Sequence, residues 1–262
     1  MNADIVVLEG DGIGPEVTRE ACAVLTAIAE RFGHRFEFEH RLIGGASIDV
    51  RGVPIDDETL DACRGADAVL LGAVGGPAWD GVEPSRRPEQ GLLTLRRALE
   101  AFANLRPVRA HARLADRSPL RADLVADVDM VIVRELTGGV YFGRREVGDT
   151  YALDETRYTI EEIERVTRVA GDVAMSRSKR LASLDKANVL ATSRLWRTTV
   201  ARVIGEEFPE VTLEHVLIDA AAMHLLTDPA RFDVIVTENM FGDIISDEAS
   251  VLCGSIGMLG SA

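Results

Sequence analysis

Two aspartates near the end of the sequence have the type and spacing needed to bind a divalent metal ion. Asp243 and Asp247 lie four residues apart in the run T-E-N-M-F-G-D-I-I-S-D-E, residues 237–248. On a helix this spacing puts both carboxylates on one face, about 6 Å apart between Cβ atoms. Mg²⁺ or Mn²⁺ would relieve the repulsion between the two charges, because both ions prefer carboxylate oxygen. A solvated acidic helix face is the alternative, although the neighbouring Ile244 and Ile245 are apolar.

Three arginines could bind an acidic substrate. Arg96 lies in L-L-T-L-R-R, Arg106 in N-L-R-P, and Arg134 at the end of the predicted strand M-V-I-V-R-E-L. Strand ends in parallel α/β sheets face the ligand crevice, and a guanidinium pairs bidentately with a carboxylate. Three converging arginines would suit a dicarboxylate, whereas each arginine taken alone is more often part of a surface ion pair.

Tyr141 and Lys186 have side chains suited to proton transfer. Tyr141 follows T-G-G-V, where the glycines let the backbone approach a ligand, and Lys186 lies in L-D-K-A-N-V-L near a predicted strand end. A desolvated lysine near a cation has a lowered pKa and can accept a proton, and a tyrosine can donate one. A packed tyrosine and an exposed lysine are the simpler alternative for either residue alone.

A glycine-rich motif, G-D-G-I-G-P, occupies residues 10–15 between a predicted strand and a predicted helix. Such a turn can hold a phosphate at the helix N-terminus, and a tight turn without a ligand is an equal alternative. The motif differs from the dinucleotide fingerprint G-x-G-x-x-G. The sequence contains no H-E-x-x-H, G-x-S-x-G or G-K-[ST] motif, which disfavours hydrolases and nucleoside triphosphatases.

The elements that must position these residues follow from hydrophobic periodicity. Apolar runs predict strands at residues 4–9, 36–41, 67–74, 104–113, 129–135, 182–190, 211–218 and 233–237. Helical spacing predicts helices at residues 15–33, 89–102, 159–181, 192–206 and 239–252. Residues 75–88 read as a loop and residues 140–158 as an extended arm or hairpin. The alternation of strands and helices predicts an α/β fold with a mostly parallel sheet.

Composition excludes several other classes of protein. The 262 residues carry a net charge of −14, and an acidic surface repels phosphate backbones, so we expect no nucleic-acid partner. No apolar run is long enough to span a membrane, so we expect no membrane partner. Three cysteines that lie far apart, without metal-binding spacing, indicate free thiols in a reducing cytoplasm.

Five long motifs, in order along the chain, resemble those of the 3-isopropylmalate dehydrogenases in the isocitrate/isopropylmalate β-decarboxylating dehydrogenase family. They are L-E-G-D-G-I-G-P-E, G-L-L-T-L-R-R-A-L-E-A-F-A-N-L-R-P, V-R-E-L-T-G-G-V-Y-F-G, D-K-A-N-V-L-A-T-S-R-L-W-R and F-D-V-I-V-T-E-N-M-F-G-D-I-I-S-D-E-A-S. The resemblance implies oxidative decarboxylation of 3-isopropylmalate to 2-oxo-4-methylpentanoate with reduction of NAD, a step of leucine biosynthesis. A sibling enzyme acting on tartrate or malate, and a non-catalytic chain that only dimerises, are the alternatives.

The resemblance also implies a role for each candidate residue. The ligands of Mg²⁺ or Mn²⁺ would be Asp219, Asp243 and Asp247. The residues that bind the substrate carboxylates and hydroxyl would be Arg96, Arg106, Arg134 and Asp219. Tyr141 and Lys186 would be the catalytic acid and base. The loop that begins at Gly76 and Pro77 and ends at Glu89 would lie against the nicotinamide end of NAD.

Substrate choice in the family depends on the helix before Arg96. Isocitrate enzymes carry a serine and an asparagine there, which bind a third carboxylate. Gln90 and Leu92 stand at these positions, beside Leu93. Together with Val189 they imply an apolar wall that suits an isopropyl group and disfavours a charge.

The implied fold is that of the isocitrate/isopropylmalate dehydrogenases, with two domains on a mostly parallel sheet that is not a Rossmann fold. Residues 1–101 and 252–262 would form the first, NAD-side domain, and residues 102–251 the second, with a dimerisation arm. The implied assembly is a homodimer with shared active sites, to which Lys186 and Asp219 reach from the partner subunit.

The sequence departs from the family at its end. The family continues into an H-G-S-A-P-D-type loop that binds the adenosine half of NAD, whereas this sequence ends at G-S-I-G-M-L-G-S-A. Gly260 stands where the family usually has proline. We therefore expect an incomplete first domain, no readable preference between NAD and NADP, and poor NAD binding with slow turnover by the 262-residue chain alone.

Overall fold

The computed structural model describes residues 1–255, 257 and 259–262, apart from the side chains of residues 112, 115 and 116. The chain forms two compact units, residues 1–100 and residues 101–262. Among the described residues, no helix is both long enough and apolar enough to cross a lipid bilayer.

The first unit is built on a three-stranded parallel sheet with strand order β2-β1-β3. Its elements are β1 (Asn2–Gly10), α1 (Gly14–Phe32), β2 (Arg35–Arg41), α2 (Gly45–Arg51), α3 (Asp57–Gly65), β3 (Ala68–Ala73) and α4 (Pro88–Ala98). The central strand is the apolar run of the sequence, and its residues Val6 and Leu8 are buried. Short 3-10 turns at residues 77–79 and 84–86 lie in the predicted loop.

The second unit contains a five-stranded sheet with strand order β4-β5-β10-β8-β9, parallel except for β4, which runs antiparallel to β5. The strands of this sheet are β4 (Ala103–Arg109), β5 (Asp129–Glu135), β8 (Arg180–Asp185), β9 (Thr212–Leu217) and β10 (Val234–Thr237). The strands β6 (Arg145–Val147) and β7 (Ala152–Asp154) of the second unit form a separate antiparallel pair. The helices of this unit are α5 (Ala122–Val125), α6 (Ile160–Met175), α7 (Ala191–Glu207), α8 (Ile218–Thr227) and α9 (Asn239–Leu252). Residues 112–117 and 229–231 form 3-10 turns.

The central strand β10 separates two apolar clusters. Ile235 packs with Leu225 and Ile245 on one face, whereas Val234 and Val236 pack on the other face. The second face is covered by residues of α6 and α7, namely Ile163, Val166, Trp196 and Val200. Because both faces of the strand are buried, its sequence is continuously apolar rather than alternating.

The carboxyl ends of the parallel strands place the candidate residues at one edge of this sheet. Arg134 is the penultimate residue of β5, Lys186 directly follows β8, and α9 begins two residues after β10 ends. Asp219 is the second residue of α8, which follows β9 without a break. In parallel α/β sheets this edge is the usual location of ligand sites.

The predicted α/β class with mostly parallel sheets is confirmed, as is the hairpin within residues 140–158, which consists of β6 and β7. The predictions missed α2, α3, α5 and α8, which are short or follow a strand directly. The strand predicted at 182–190 ends at residue 185, because the N–H groups of Val189 and Leu190 donate to the Lys186 carbonyl and form a turn.

The predicted division into two domains stays a prediction for the end of the chain. Residues 252–262, which the sequence assigns to the first domain, group with the second unit. The physical reason is a pair of backbone hydrogen bonds, since Leu105 and Ala262 each donate to the other's carbonyl, at 2.7 and 3.1 Å.

Two isoleucines on α6 test the orientation of this helix. Ile163 is fully buried among the apolar side chains of α6 and α7, whereas Ile160 is 46% exposed. We expect Ile163→Ala to lower the free energy of unfolding by about 2–5 kcal/mol, through lost burial and a cavity. Ile160→Ala should cost below about 1 kcal/mol. Urea unfolding measures both values, and equal losses would contradict the helix orientation.

Candidate active site

Arg134 is a buried cation held by the first turns of α9. Its side chain is 3% exposed, and its Nη1 forms an ion pair with Asp243. Its Nε and Nη2 donate to the Oδ1 of Asn239, at 3.2 and 2.8 Å. The close approach requires a glycine, because a Cβ on Gly242 would lie 2.5 Å from the Arg134 Cγ. A buried charge is tolerated only with such partners.

Tyr141 reaches the same carboxylate from the segment after β5. Its hydroxyl donates to the Oδ2 of Asp243 at 2.9 Å, and the Arg134 guanidinium carbon lies 5.8 Å from its ring centroid. Burial raises the pKa of Tyr141, and the hydrogen bond to Asp243 and the charge of that carboxylate raise it further. The hydroxyl therefore carries its proton at neutral pH, and its place beside Asp243 makes it a candidate proton donor.

Arg106 adds a second cation from β4. Burial lowers the pKa of Arg106, the charge of Arg134 lowers it further, and Asp243 and Asp247 act in the opposite direction. These effects place Arg134, Asp243 and Asp247 within electrostatic reach of Arg106. We call Arg106, Arg134, Tyr141, Asp243 and Asp247 the α9 cluster. It combines two anion-binding guanidinia, one acid and two carboxylates one helical turn apart.

Lys186 and Asp219 form a separate ion pair. The Lys186 Nζ lies 2.7 Å from the Asp219 Oδ1, and the lysine is half-buried while the aspartate is exposed. The hydrogen bond from Lys186 lowers the pKa of Asp219. The turn that carries Lys186 is fixed by the buried Asp185, which accepts from the Ala187 N–H at 2.8 Å and pairs with Arg197.

The three aspartates implied as metal ligands do not meet within the described part of one chain. Across those residues, no group of three His, Cys, Asp or Glu side chains is arranged to hold a metal ion. Asp243 and Asp247 share α9, whereas Asp219 is held by Lys186. A single chain thus offers a pair of carboxylates that fits part of a Mg²⁺ or Mn²⁺ site, together with oxygen ligands from substrate and water.

Several candidate residues belong to the first unit. Arg96, Leu92 and Leu93 are half-buried on α4. Gly76 and the exposed Pro77 precede this helix in the loop, and the exposed Glu89 lies in its first turn. Their proposed contacts with substrate and NAD stay predictions.

Val189 is exposed in the turn after β8, close in sequence to Lys186. Its place in an apolar substrate wall stays a prediction, as do those of Leu92 and Leu93. An exposed valine beside the catalytic candidate Lys186 can contact a bound molecule without any rearrangement of the core.

The glycine-rich motif at residues 10–15 is organised around a carboxylate. Asp11 is buried and accepts three backbone N–H groups, from Gly45, Ala46 and Gly75, at 2.7–2.8 Å. The motif therefore joins three loops of the first unit. This arrangement favours the tight-turn interpretation over phosphate binding, because a buried carboxylate repels an anion.

Sequence reasoning missed four buried residues around the α9 cluster: Asn239, Glu135, Glu238 and Tyr158. The Tyr158 hydroxyl lies 3.4 Å from the Glu135 Oε2 and 3.2 Å from the Glu238 Oε2. Burial raises the pKa of both carboxyl groups. Glu135 and Glu238 stand at the ends of strands, so the rule that selected Arg134 could have selected them too.

The raised pKa of Glu238 gives a pH-dependent stability. Protonated Glu238 stabilises the folded chain. This stabilisation is fully present below the pKa of about 4.3 that the carboxyl group has in the unfolded chain, and it is lost as the pH rises through the higher pKa in the folded chain. The side chain of the Glu238→Gln variant has no charge at any pH. It keeps an oxygen that can accept a hydrogen bond from the Phe241 N–H, as the glutamate does at 2.9 Å. We expect the variant to gain stability over the wild type as the pH rises from about 4 to 8.

Urea unfolding at a series of pH values measures this gain, with the exposed Glu30→Gln as the control. A difference between wild type and Glu238→Gln that does not change with pH would contradict burial as the source of the shift.

Comparison with known proteins agrees with this arrangement. Residues 4–262 match the model of the isocitrate/isopropylmalate dehydrogenase family. A 3-isopropylmalate dehydrogenase of Geobacillus kaustophilus is 58% identical over 266 residues, covering 100% of this chain and 71% of the relative. One of Anaeromyxobacter dehalogenans is 57% identical over 267 residues, covering 100% of this chain and 75% of the relative.

A solved structure extends the comparison to the fold. The crystal structure of isocitrate dehydrogenase from Methylococcus capsulatus superposes with a TM-score of 0.84 at 31% identity, covering 99% of this chain and 73% of that one. The match of the family model over almost the whole chain, with relatives above half identity, establishes that this chain belongs to the isocitrate/isopropylmalate dehydrogenase family.

Proposed function

We propose that this chain is a 3-isopropylmalate dehydrogenase, which oxidises and decarboxylates 3-isopropylmalate to 2-oxo-4-methylpentanoate with reduction of NAD, in leucine biosynthesis. The observation that carries the proposal is the α9 cluster, in which Arg134 and Tyr141 both bind Asp243. Arginines beside carboxylates on a helix suit a dicarboxylate bound next to a cation. The identity to relatives of that name, 53–58%, supports the choice of substrate.

The chain's own groups have distinct parts in this reaction. Arg106 and Arg134, with Arg96, bind and orient the two carboxylates. Lys186 takes the proton of the substrate hydroxyl, and Tyr141 protonates the carbon from which CO₂ leaves. A bound Mg²⁺ or Mn²⁺ would supply Lewis-acid stabilisation of the developing negative charge, and NAD would accept the hydride.

The side group of the substrate would be selected by an apolar wall of Leu92, Leu93 and Val189. The two leucines are half-buried and the valine is exposed, so all three present surface that a ligand can cover. An isopropyl group gains from this burial, whereas a third carboxylate would lose its hydration without an ion partner.

The nicotinamide end of NAD would lie against Gly76, Pro77 and Glu89 in the first unit. Glu89 already lies next to the loop backbone, since a Cβ on Gly75 would be 2.7 Å from its Oε1.

The three cysteines are free thiols, which fits a reducing cytoplasm.

We further propose a homodimer in which Lys186 and Asp219 complete the active site of the partner subunit. In the described chain these two residues pair with each other and leave the α9 cluster without its third carboxylate. Four large apolar side chains are exposed on the neighbouring helices α8 and α9, namely Met223, Leu226, Ile244 and Val251. Exposed apolar side chains on helices next to the site could form an interface between subunits.

Substrate binding tests the function without requiring turnover. Calorimetry with Mn²⁺ should show binding of 3-isopropylmalate at least about tenfold tighter than isocitrate, tartrate or malate. Formation of NADH from 3-isopropylmalate should accompany it, however slowly. Tighter binding of tartrate or malate would instead identify a sibling enzyme.

Lys186→Met tests the proposed base. We expect kcat to fall by about 100-fold or more, because no other group takes the hydroxyl proton, with a small change in substrate affinity. Lys179→Met is the matched control, since Lys179 pairs with Glu210 at the surface. Steady-state kinetics measures both variants, and near-normal kcat in Lys186→Met would exclude the lysine as the base.

Mixed dimers test the sharing of active sites. Lys186→Met and Tyr141→Phe should each be nearly inactive, but their heterodimer contains one site with both residues intact. After subunit exchange of an equal mixture, we expect about a quarter of the wild-type activity, since half the dimers are mixed and half their sites are intact. If each site belongs to one chain, mixing restores nothing.

A further inference from the structure

We propose that Asn239 is a positioning residue that sets the geometry of both Arg134 and Tyr141, an inference that rests on the proposed dehydrogenase function. The two halves of its side-chain amide contact two different parts of the site. The oxygen binds the arginine, and the nitrogen binds the glycine turn that precedes the tyrosine.

The oxygen half fixes the rotation of the guanidinium. Arg134 donates both Nε and Nη2 to the single Oδ1 of Asn239, and its Nη1 pairs with Asp243. A guanidinium bound on two sides in one plane cannot turn about its last bond. The edge that faces a substrate carboxylate is therefore defined by the asparagine before any ligand arrives.

The nitrogen half fixes the chain before Tyr141. The Nδ2 of Asn239 donates to the Gly138 carbonyl at 3.0 Å. The next residue, Gly139, has a φ of 74°, a left-handed conformation that glycine adopts readily. The Glu135 carboxylate accepts the N–H groups of Thr137 and Gly138, so Asn239 holds the one carbonyl between these donors and Gly139. Holding the carbonyl before this residue holds the direction in which the chain continues to Tyr141.

The amide can have only one orientation. A guanidinium only donates and a carbonyl only accepts, so the oxygen must face Arg134 and the nitrogen must face Gly138. An aspartate would keep an acceptor for the arginine but lose the donor for the carbonyl. An alanine would lose both. The position thus requires a short side chain that accepts on one side and donates on the other.

Asn239 is itself rigid. It is 1% exposed, and its backbone N–H donates to the Tyr158 hydroxyl at 3.0 Å. It is the first residue of α9, whose N-terminus is capped by the side chain of Glu238. Because Asn239 lies on the first turn of a capped, buried helix, the position of this helix determines where its side chain holds the Arg134 guanidinium and the Gly138 carbonyl.

Double-mutant cycles test the action through Arg134. With Mn²⁺ and 3-isopropylmalate in calorimetry, we expect Asn239→Ala to weaken binding about tenfold and Arg134→Lys about 100-fold. The double variant should bind no worse than Arg134→Lys alone, because the asparagine has then lost the group it orients. If the two losses multiply, Asn239 does not act through the arginine and this half of the proposal is overturned.

Thr167→Ala is the matched control. Thr167 is as deeply buried in the same unit, and its hydroxyl donates to the Ile163 carbonyl of its own helix, α6, at 2.7 Å. Its effect on binding should be small and should multiply with that of Arg134→Lys. Coupling of Thr167 to Arg134 as strong as that of Asn239 would mean that any buried polar loss acts in the same way, and would overturn the proposal.

Amide hydrogen exchange tests the action on the turn, independently of substrate. We expect faster exchange across residues 137–143 in both Asn239→Ala and Asn239→Asp, and unchanged exchange there in Thr167→Ala. Wild-type exchange in both asparagine variants would overturn the role in holding the turn. Failure of the wild type to bind 3-isopropylmalate would overturn the proposed function instead, and exchange alone would then decide whether Asn239 holds the turn.

Discussion

The buried ion pair between Arg134 and Asp243 is the interaction on which the candidate site depends. A guanidinium that is 3% exposed is stable only if its donors are used, and they are used by a carboxylate and an amide of one helix. This requirement fixes the depth and rotation of α9 against β5. It also explains the glycine at 242, because any side chain there would displace the arginine.

Parallel strand ends then bring the remaining groups to the same edge of the sheet. The neighbouring strands β8 and β9 pair Asp185 with Leu217, so that the residues just beyond their ends, Lys186 and Asp219, meet as an ion pair. Neither residue needs a long loop to reach this edge. The fold thus supplies two separate charged groups, the α9 cluster and the Lys186–Asp219 pair, from consecutive strand ends.

The sequence predicted the fold class and much of the content of the site, because both depend on local patterns. Apolar runs identify strands, and the residues after them, such as Arg134 and Lys186, can be read directly. Asn239 also lies just beyond a strand end, but its role could not be read, since its partner Arg134 lies 105 residues earlier and nothing in the local sequence marks the contact. The short helix α8 was missed because it follows β9 without a turn signal.

Charge balance explains how a strongly acidic chain can bind an acidic ligand. The chain carries a net charge of −14, yet two arginines and two aspartates of the α9 cluster are neutral in sum. At physiological ionic strength charges beyond about 8 Å are largely screened, so an approaching anion responds to the nearest groups. Arg134 is held in place by the neutral amide of Asn239 as well as by Asp243, so the carboxylate neutralises only part of the positive charge of Arg134. The amide thereby orients the cation without cancelling it, which a second carboxylate at the same position would do.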